Sequence, residues 1–434
     1  MAVLIQPKVL KGFRDALPAA EIERSALLEK ITAVYRSFGF VPIDTPALEY
    51  SDILLRKSDG ETEKQVFRFS DNGGRDIALR FDLTVPFARF VAEHRHELYF
   101  PFKRYHIAKV WRGEKPQAGR YREFLQCDID IVGSESAAAD FEILTVMRTA
   151  LAAVGATDIS IHINNRATFN RFLEKHALRD KSEHILRTVD KLQKLGTEAV
   201  EAELAAVTGD ARTAAEIVRY STAQGSFDET LAHIEQLAGG PAADTERLRV
   251  IHAMMEATGT ASTYTLDPSI TRGLDYYTGI VYETFLNAAP SLGSVCSGGR
   301  YDNLTGLYMN EKIPGVGASI GIDRLLAGRD ALGMTSDRTS YLDAEIFCLN
   351  TDDASLYEKT AAQLRAQGIA VEVFPDAKKM QQQYAVTDAK KIPWGIFIPH
   401  ETPENRTLKN LRTREQFDGL SIDDIVQKIR LGTY

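Results

Sequence analysis

Cysteine is scarce in this chain, and its few copies stand apart. Cys127, Cys296 and Cys348 are the only three. They form no CxxC pair and no even set, which argues against a disulfide framework and a zinc site and favours a reducing, cytoplasmic setting. No apolar run approaches the roughly 20 residues that cross a bilayer. The opening MAVLIQPKVLKG has a very short apolar stretch and no small-residue cleavage site, so no secretory signal is expected. A GxxxxGK(S/T) loop is missing, which excludes a P-loop enzyme. The glycines from Gly315 to Gly321 fall as GxGxxxG, late in the chain and with no βαβ unit after them, which excludes a dinucleotide fold. Basic residues are outnumbered, giving a net charge of −8. Taken alone that argues mildly against a nucleic-acid partner. Local patches decide such binding, however, and between Lys378 and Arg414 eight basic residues face three acidic ones. The plainest reading of that span by itself is a solvated surface.

What is present is a soluble, globular composition, 44% hydrophobic and 26% charged. At 434 residues it suits two or three domains. The most informative stretch is Trp111 to Gly133, WRGEKPQAGRYREFLQCDIDIVG, which reads as two strands and a loop. Arg112 closes the first strand. The loop carries Glu114, Lys115, Gln117, Gly119, Arg120 and Arg122. On the returning strand Gln126, Asp128 and Asp130 point one way, and Leu125, Cys127, Ile129 and Ile131 the other. A polar stripe backed by an apolar one is a solvated face or a cavity wall. Three converging arginines favour the cavity, because guanidinium groups grip phosphates in paired, planar geometry. A nucleotide site is the expectation.

Leu17 to Gly39 reads as a helix, and Phe40 to Ile43 as a strand that Pro42 confines to an edge or a subunit boundary. Residues 167–259 are alanine-rich and read as helix after helix, among them Lys181 to Leu195, Gly209 to Tyr220 and Asp244 to Thr258. Strand character returns from Leu274 to Phe285 and runs to about Gly321, with a helix from Ile322. Arg329 to Ser340 reads as a linker. From Tyr341 onward strands and helices alternate, which predicts a mostly parallel sheet with helices on its faces.

Further segments carry chemical load. In Leu79 to Pro86, Arg80, Asp82 and Thr84 alternate with Leu79, Phe81 and Leu83 as on a strand. An exposed strand face explains this segment by itself; a carboxylate near a hydroxyl could instead accept hydrogen bonds from an ammonium group. In Arg272-Gly273-Leu274-Asp275-Tyr276-Tyr277, paired tyrosines could hold a polar heterocycle or simply fill a core. The glycines of Ser297-Gly298-Gly299-Arg300-Tyr301-Asp302 and of Gly315 to Arg324 permit close backbone approach.

Together these segments resemble the class II aminoacyl-tRNA synthetases, and within them the histidyl-tRNA synthetase family, over essentially the whole chain. Phe38 to Glu49 resembles the motif that builds the dimer interface, Arg112-Gly113-Glu114 with Arg120 to Phe124 the second motif, and Gly317 to Arg324 the third. The Arg272 and Ser297 segments are specific to the histidine enzymes. The resemblance implies an α+β fold: an antiparallel class II sheet flanked by helices (residues 1–166 and 260–328), a helical insertion (167–259) and a C-terminal α/β anticodon-binding domain (341–434). It implies ligation of L-histidine to tRNA(His) through a histidyl-adenylate, with ATP and its Mg²⁺, in a homodimer.

By the same resemblance, Arg112 holds the α-phosphate and the substrate carboxylate, and Arg272 reaches the α-phosphate from the other side. Arg120 and Arg324 clamp the outer phosphates. Phe124 and Arg324 sandwich adenine, and Glu114 reads its amino group. Asp82, Thr84 and Gln126 surround the α-ammonium. Asp130 and Tyr277 bond the imidazole nitrogens, with Tyr276 and Tyr301 lining the pocket. Lys378, Lys379, Lys409, Arg412 and Arg414 are candidate anticodon contacts, and Lys191 and Lys194 candidate acceptor-stem contacts. Many bacterial members carry glutamates where this chain has Asp82 and Asp130, and in this respect it is closer to a eukaryote-like branch. Asp128 receives no role. A histidine-binding regulatory paralogue is the alternative; retention of Arg112, Arg120, Arg272, Arg324 and the terminal domain argues against it. The Arg272 to Tyr277 segment argues against another amino acid.

Overall fold

Alternation along a few strands decides the architecture. In the computed structural model, which describes residues 4–55, 63–115, 119–270, 276–336 and 338–432, helix α1 (Pro18–Ser37) is stopped by Gly39 at φ +81° and followed by β1 (Val41–Pro42). Next come β2 (Leu48–Tyr50), α2 (Ser51–Leu55), β3 (Arg68–Ser70) and β4 (Asp76–Leu79), whose strands form a small antiparallel sheet. Then follow α3 (Thr84–Glu93), the long hairpin β5 (Phe102–Trp111) and β6 (Glu123–Val132), α4 (Ala137–Ala153) and β7 (Ile159–Asn165).

Seven helices succeed β7: α5 (Arg166–Lys175), α6 (Ser182–Val189), α7 (Leu192–Leu195), α8 (Thr197–Thr208), α9 (Ala211–Ser221), α10 (Phe227–Leu237) and α11 (Ala243–Ala257). Asn165 starts them by accepting the Ala167 N–H at 3.0 Å, and its amide donates to Asp244 O at 2.9 Å, which joins the first and last of the seven. The helix expected from Lys181 to Leu195 is two helices, broken at Asp190. The chain then returns through β8 (Tyr264–Leu266), β9 (Ile280–Leu286), β10 (Cys296–Tyr301), β11 (Gly315–Gly321) and α12 (Ile322–Ala331), so the expected linker begins as helix.

The large sheet runs β1-β5-β6-β11-β10-β9-β7-β8. Only its outer pairs, β1 with β5 and β7 with β8, are parallel. Pro42 sits on the edge strand, as its missing N–H requires. On one face Cys127, Ile129 and Ile131 of β6 and Val316, Ala318 and Ile320 of β11 join Ile143, Leu144, Met147 and Leu151 of α4 in the main core. Burying each of the isoleucine, leucine, valine and methionine side chains among them contributes about 1.5–3 kcal/mol. The intervening residues of both strands therefore share the opposite face.

One compact unit comprises Met1–Asp15 and Leu27–Met334, the other Ala16–Ala26 and Thr335–Tyr434. The second holds β12 (Ala344–Ile346), α13 (Ala354–Ala366), β13 (Val371–Val373), α14 (Met380–Ala389), β14 (Trp394–Phe397), β15 (Arg406–Asn410), β16 (Gln416–Leu420) and α15 (Ile422–Gly432). Its sheet, β13-β12-β14-β15-β16, is parallel in the first three strands and antiparallel in the terminal hairpin. Among the described residues no helix is long and apolar enough to cross a membrane.

Candidate functional site

The face opposite the core carries the predicted stripe. Gln126, Asp128 and Asp130 are all buried, and they lie in register with Gly321, Ser319 and Gly317 of β11. Gly317 is required here: a β-carbon on it would overlap the Asp130 carboxylate. Gly299 of β10 leaves room in the same way for the Tyr277 ring, and Gly315 for Tyr301. The glycines are thus the floor on which a carboxylate and two tyrosines lie flat.

Asp130 accepts from the Tyr301 hydroxyl at 2.5 Å and pairs with Arg104 at 2.6 Å. Arg104 was not anticipated. It lies on β5 opposite Asp130, is fully buried, and rests over the Phe87 ring at 4.3 Å. Its signal was available: Arg104 and His106 alternate with Tyr105 and Ile107 as the stripe on β6 does. Despite Arg104, burial pushes Asp130 up to about 7. Asp128 sits between His106 and Ser319 in register, and burial lifts it to about 6. Among the described residues one Asp128 oxygen and the Gln126 Oε1 have no hydrogen-bond partner; the Gln126 amide donates to Ser319 Oγ at 2.8 Å. His106 is held neutral, down to about 4, by burial and by Arg104 and Arg80.

Asp82 and Thr84 do not lie on a strand. β4 ends at Leu79 and α3 begins at Thr84, so the alternation there is a sharp turn into a helix. Asp82 accepts the Val85 N–H at 3.1 Å and the Tyr276 hydroxyl at 3.2 Å, and burial raises it to about 6. The exposed-face reading is wrong, since Arg80, Asp82 and Thr84 are all buried. Arg80 serves the backbone, donating to Thr45 O at 2.5 Å and Lys109 O at 3.0 Å. Tyr276 meets Tyr277 and Tyr301 edge-on at 4.8 and 5.9 Å.

At the mouth of the hairpin the charge reverses. Arg112 donates to Phe81 O at 2.9 Å, and its guanidinium lies 5.2 Å from the Phe124 ring centre. Arg120 pairs with Glu114 at 3.9 Å. Arg324, in the first turn of α12, donates to Ser294 O at 2.5 Å. Burial and the charges of Arg120 and Arg112 push Arg324 down to about 10. Arg112 also lowers Asp82 and Asp128, so it stands between the cationic mouth and the anionic pocket. Residues 116–118 of the loop and Arg272 lie outside the described residues.

In the C-terminal unit Lys378 and Lys379 precede α14, Lys409 is on β15 with its ammonium 5.7 Å from the Tyr384 ring centre, and Arg412 and Arg414 are exposed in the β15–β16 turn. Lys191 is taken up by Glu203 at 2.5 Å; the Lys194 side chain lies outside the description.

Known proteins resemble this chain over nearly its whole length. The family model for histidyl-tRNA synthetase matches residues 12–325, and that for an anticodon binding domain matches residues 343–431. A histidine–tRNA ligase from Treponema denticola is 55% identical, covering 99% of this chain and 99% of its own. One from Rhodopirellula baltica is 45% identical, covering 99% and 100%. The crystal structure of histidyl-tRNA synthetase from Nostoc sp. PCC 7120 superposes with a TM-score of 0.87 at 30% identity, covering 99% of this chain and 100% of that one.

Proposed function

The chain belongs to the histidyl-tRNA synthetase family, and from that membership and its pocket we infer that it ligates L-histidine to tRNA(His) at the expense of ATP. The observation that carries the reading is Arg112, which acts on Arg324 at the cationic mouth and on the buried carboxylates of Asp82 and Asp128 in the pocket. A substrate ammonium belongs in the anionic pocket, a triphosphate at the cationic mouth, and the reacting carboxylate and α-phosphorus where they meet.

In the first step the histidine carboxylate attacks the α-phosphorus, forming histidyl-adenylate and releasing pyrophosphate; the histidyl group then passes to the terminal ribose of tRNA. Positioning and charge neutralisation supply most of the catalysis. Arg112 holds the α-phosphate and the substrate carboxylate, Arg272 is the second arginine proposed for the α-phosphate, and Arg120 and Arg324 hold the outer phosphates. Phe124 and Arg324 enclose adenine, and Glu114 accepts from its amino group. Asp82, Thr84 and Gln126 take the α-ammonium, for which the Gln126 Oε1, without a partner among the described residues, is suited. Asp130 and Tyr277 read the imidazole nitrogens between Tyr276 and Tyr301. Another side chain would leave these buried groups unpaired, which costs selectivity ratios of about 10⁴ or more. Among the described residues no cluster of three His, Cys, Asp or Glu side chains could hold a metal, so Mg²⁺ would be carried mainly by phosphate oxygens.

The division into catalytic segments (1–166 and 260–328), helical insertion (167–259) and anticodon-binding domain (341–434) belongs to the same proposal. Lys378, Lys379, Lys409, Arg412 and Arg414 would meet the anticodon loop. A cytoplasmic homodimer is proposed; the edge position of β1 with its exposed Val41, and the exposed Leu48 and Tyr50 of β2, support the dimer. The regulatory paralogue is not favoured, because the arginines of the mouth are retained. Histidine-dependent exchange of pyrophosphate into ATP tests the reading; pure protein without it would end it.

A further inference from the structure

The residues ahead of α1 make contacts that the reaction above does not use. The Arg122 backbone N–H donates to Gly12 O at 2.8 Å, and its guanidinium donates to Lys11 O at 3.3 Å. Gly12 has φ +89°, a backbone shape that glycine adopts at little cost. Phe13 meets Phe67 edge-on at 6.1 Å. Arg14 donates to the Tyr121 hydroxyl at 3.0 Å and covers the Tyr121 ring, 3.9 Å from its centre. The same guanidinium pairs with Asp323. Asp323 is buried, and its other oxygen accepts the Leu125 N–H at 3.0 Å.

The segment Lys11 to Arg14 thus laces two separate elements together. One is the returning arm of the hairpin loop, which carries Arg120 and Phe124. The other is the first turn of α12, where Asp323 immediately precedes Arg324. The loop also lies directly on that turn: a β-carbon on Gly119 would stand 3.3 Å from Arg324 Cα. The Arg14 side chain is 37% exposed, so its ion pair adds little to overall stability. Its value is directional. A planar guanidinium can hydrogen-bond a hydroxyl, stack on its ring and engage a carboxylate at once, and a lysine ammonium cannot.

We propose that Arg14 is a positioning residue for ATP: it sets Tyr121 against Asp323 so that Arg120 and Phe124 on one element, and Arg324 on the other, form one nucleotide site. This rests on the ATP reading of the mouth. The hydrogen bonds and ion pair of Arg14 all fall on the nucleotide side, so its loss should be felt there and not by histidine.

The test is pyrophosphate exchange by the full-length protein as each substrate is varied. Arg14→Ala should raise the KM for ATP at least about tenfold, the equivalent of about 1.4 kcal/mol, with the KM for histidine within about twofold and the unfolding midpoint close to that of the parent. Arg14→Lys should recover only part of the loss. An unchanged ATP KM in Arg14→Ala, equal shifts for both substrates, or full rescue by lysine would overturn the proposal while leaving the function intact. Absence of exchange in the parent protein would overturn the function and this inference together.

Discussion

Replacing Asp82 by asparagine separates what the pocket costs from what it recognises. The carboxyl is 2% exposed, and burial lifts it from 3.8 to about 6. A folded-state value above the unfolded one means that the folded protein binds the proton more tightly between those two values. Stability contributed by this group is therefore fully present below about pH 4, falls as pH rises through about 6, and stays low above it. At about 1.36 kcal/mol per tenfold change in proton affinity, the penalty at pH 8 is up to about 3 kcal/mol. Asparagine is nearly isosteric: its carbonyl can still accept from Val85, and its amide can donate to the Tyr276 hydroxyl. The ligand-free variant should be about 1–3 kcal/mol more stable than the parent at pH 8 and close to it at pH 4. The same change removes the charge proposed to face the substrate ammonium. A hydrogen bond to a charged group is worth about 1.5–3 kcal/mol, so the KM for histidine should rise roughly 10- to 150-fold while that for ATP moves little. Denaturant unfolding at the two pH values and pyrophosphate exchange against histidine concentration read both effects. A variant less stable than the parent at pH 8, or one that uses histidine equally well, refutes the argument that this carboxylate is kept at a cost in stability for cation recognition.

Gly317→Ala puts a methyl group where the Asp130 carboxylate lies; a loss of about 1–3 kcal/mol in unfolding free energy, with histidine use impaired more than ATP use, is the expected outcome. Arg104→Met leaves Asp130 buried without its ion-pair partner; unfolding should show a loss of about 3–5 kcal/mol, and an unaffected variant would show that the pair contributes nothing. Removing the residues after Ser340 should spare histidine-dependent exchange and weaken transfer to tRNA; equal loss of both would contradict the proposed division of labour.

Much of the site was legible because it obeys a local period. The alternation in Gln126 to Ile131 alone assigns one face to a core and the other to a cavity, and β6 has that arrangement. The spaced glycines of β11 signalled close approach: Gly317 makes room for Asp130 and Gly315 for Tyr301. The same period misled at Leu79 to Pro86, because three alternating residues suit a strand and a turn into a helix equally. The outcome there is set by tertiary burial: Phe81 and Val85 join a second apolar cluster with Phe87, Phe102 and Tyr301.

By itself, then, the chain determined the hairpin, the helical run after Asn165, the alternating C-terminal unit and the family, since each is written in neighbouring residues or ordered motifs. Tertiary structure alone decided which charges meet. Arg104 reaches Asp130 from the adjacent strand, Tyr276 reaches Asp82 across 194 positions, and Arg14 reaches Asp323 across 309. Such pairings follow from strand register and from the burial that drives it, not from any spacing in the chain. They determine which buried carboxylates are paired with a protein cation, as Asp130 is with Arg104.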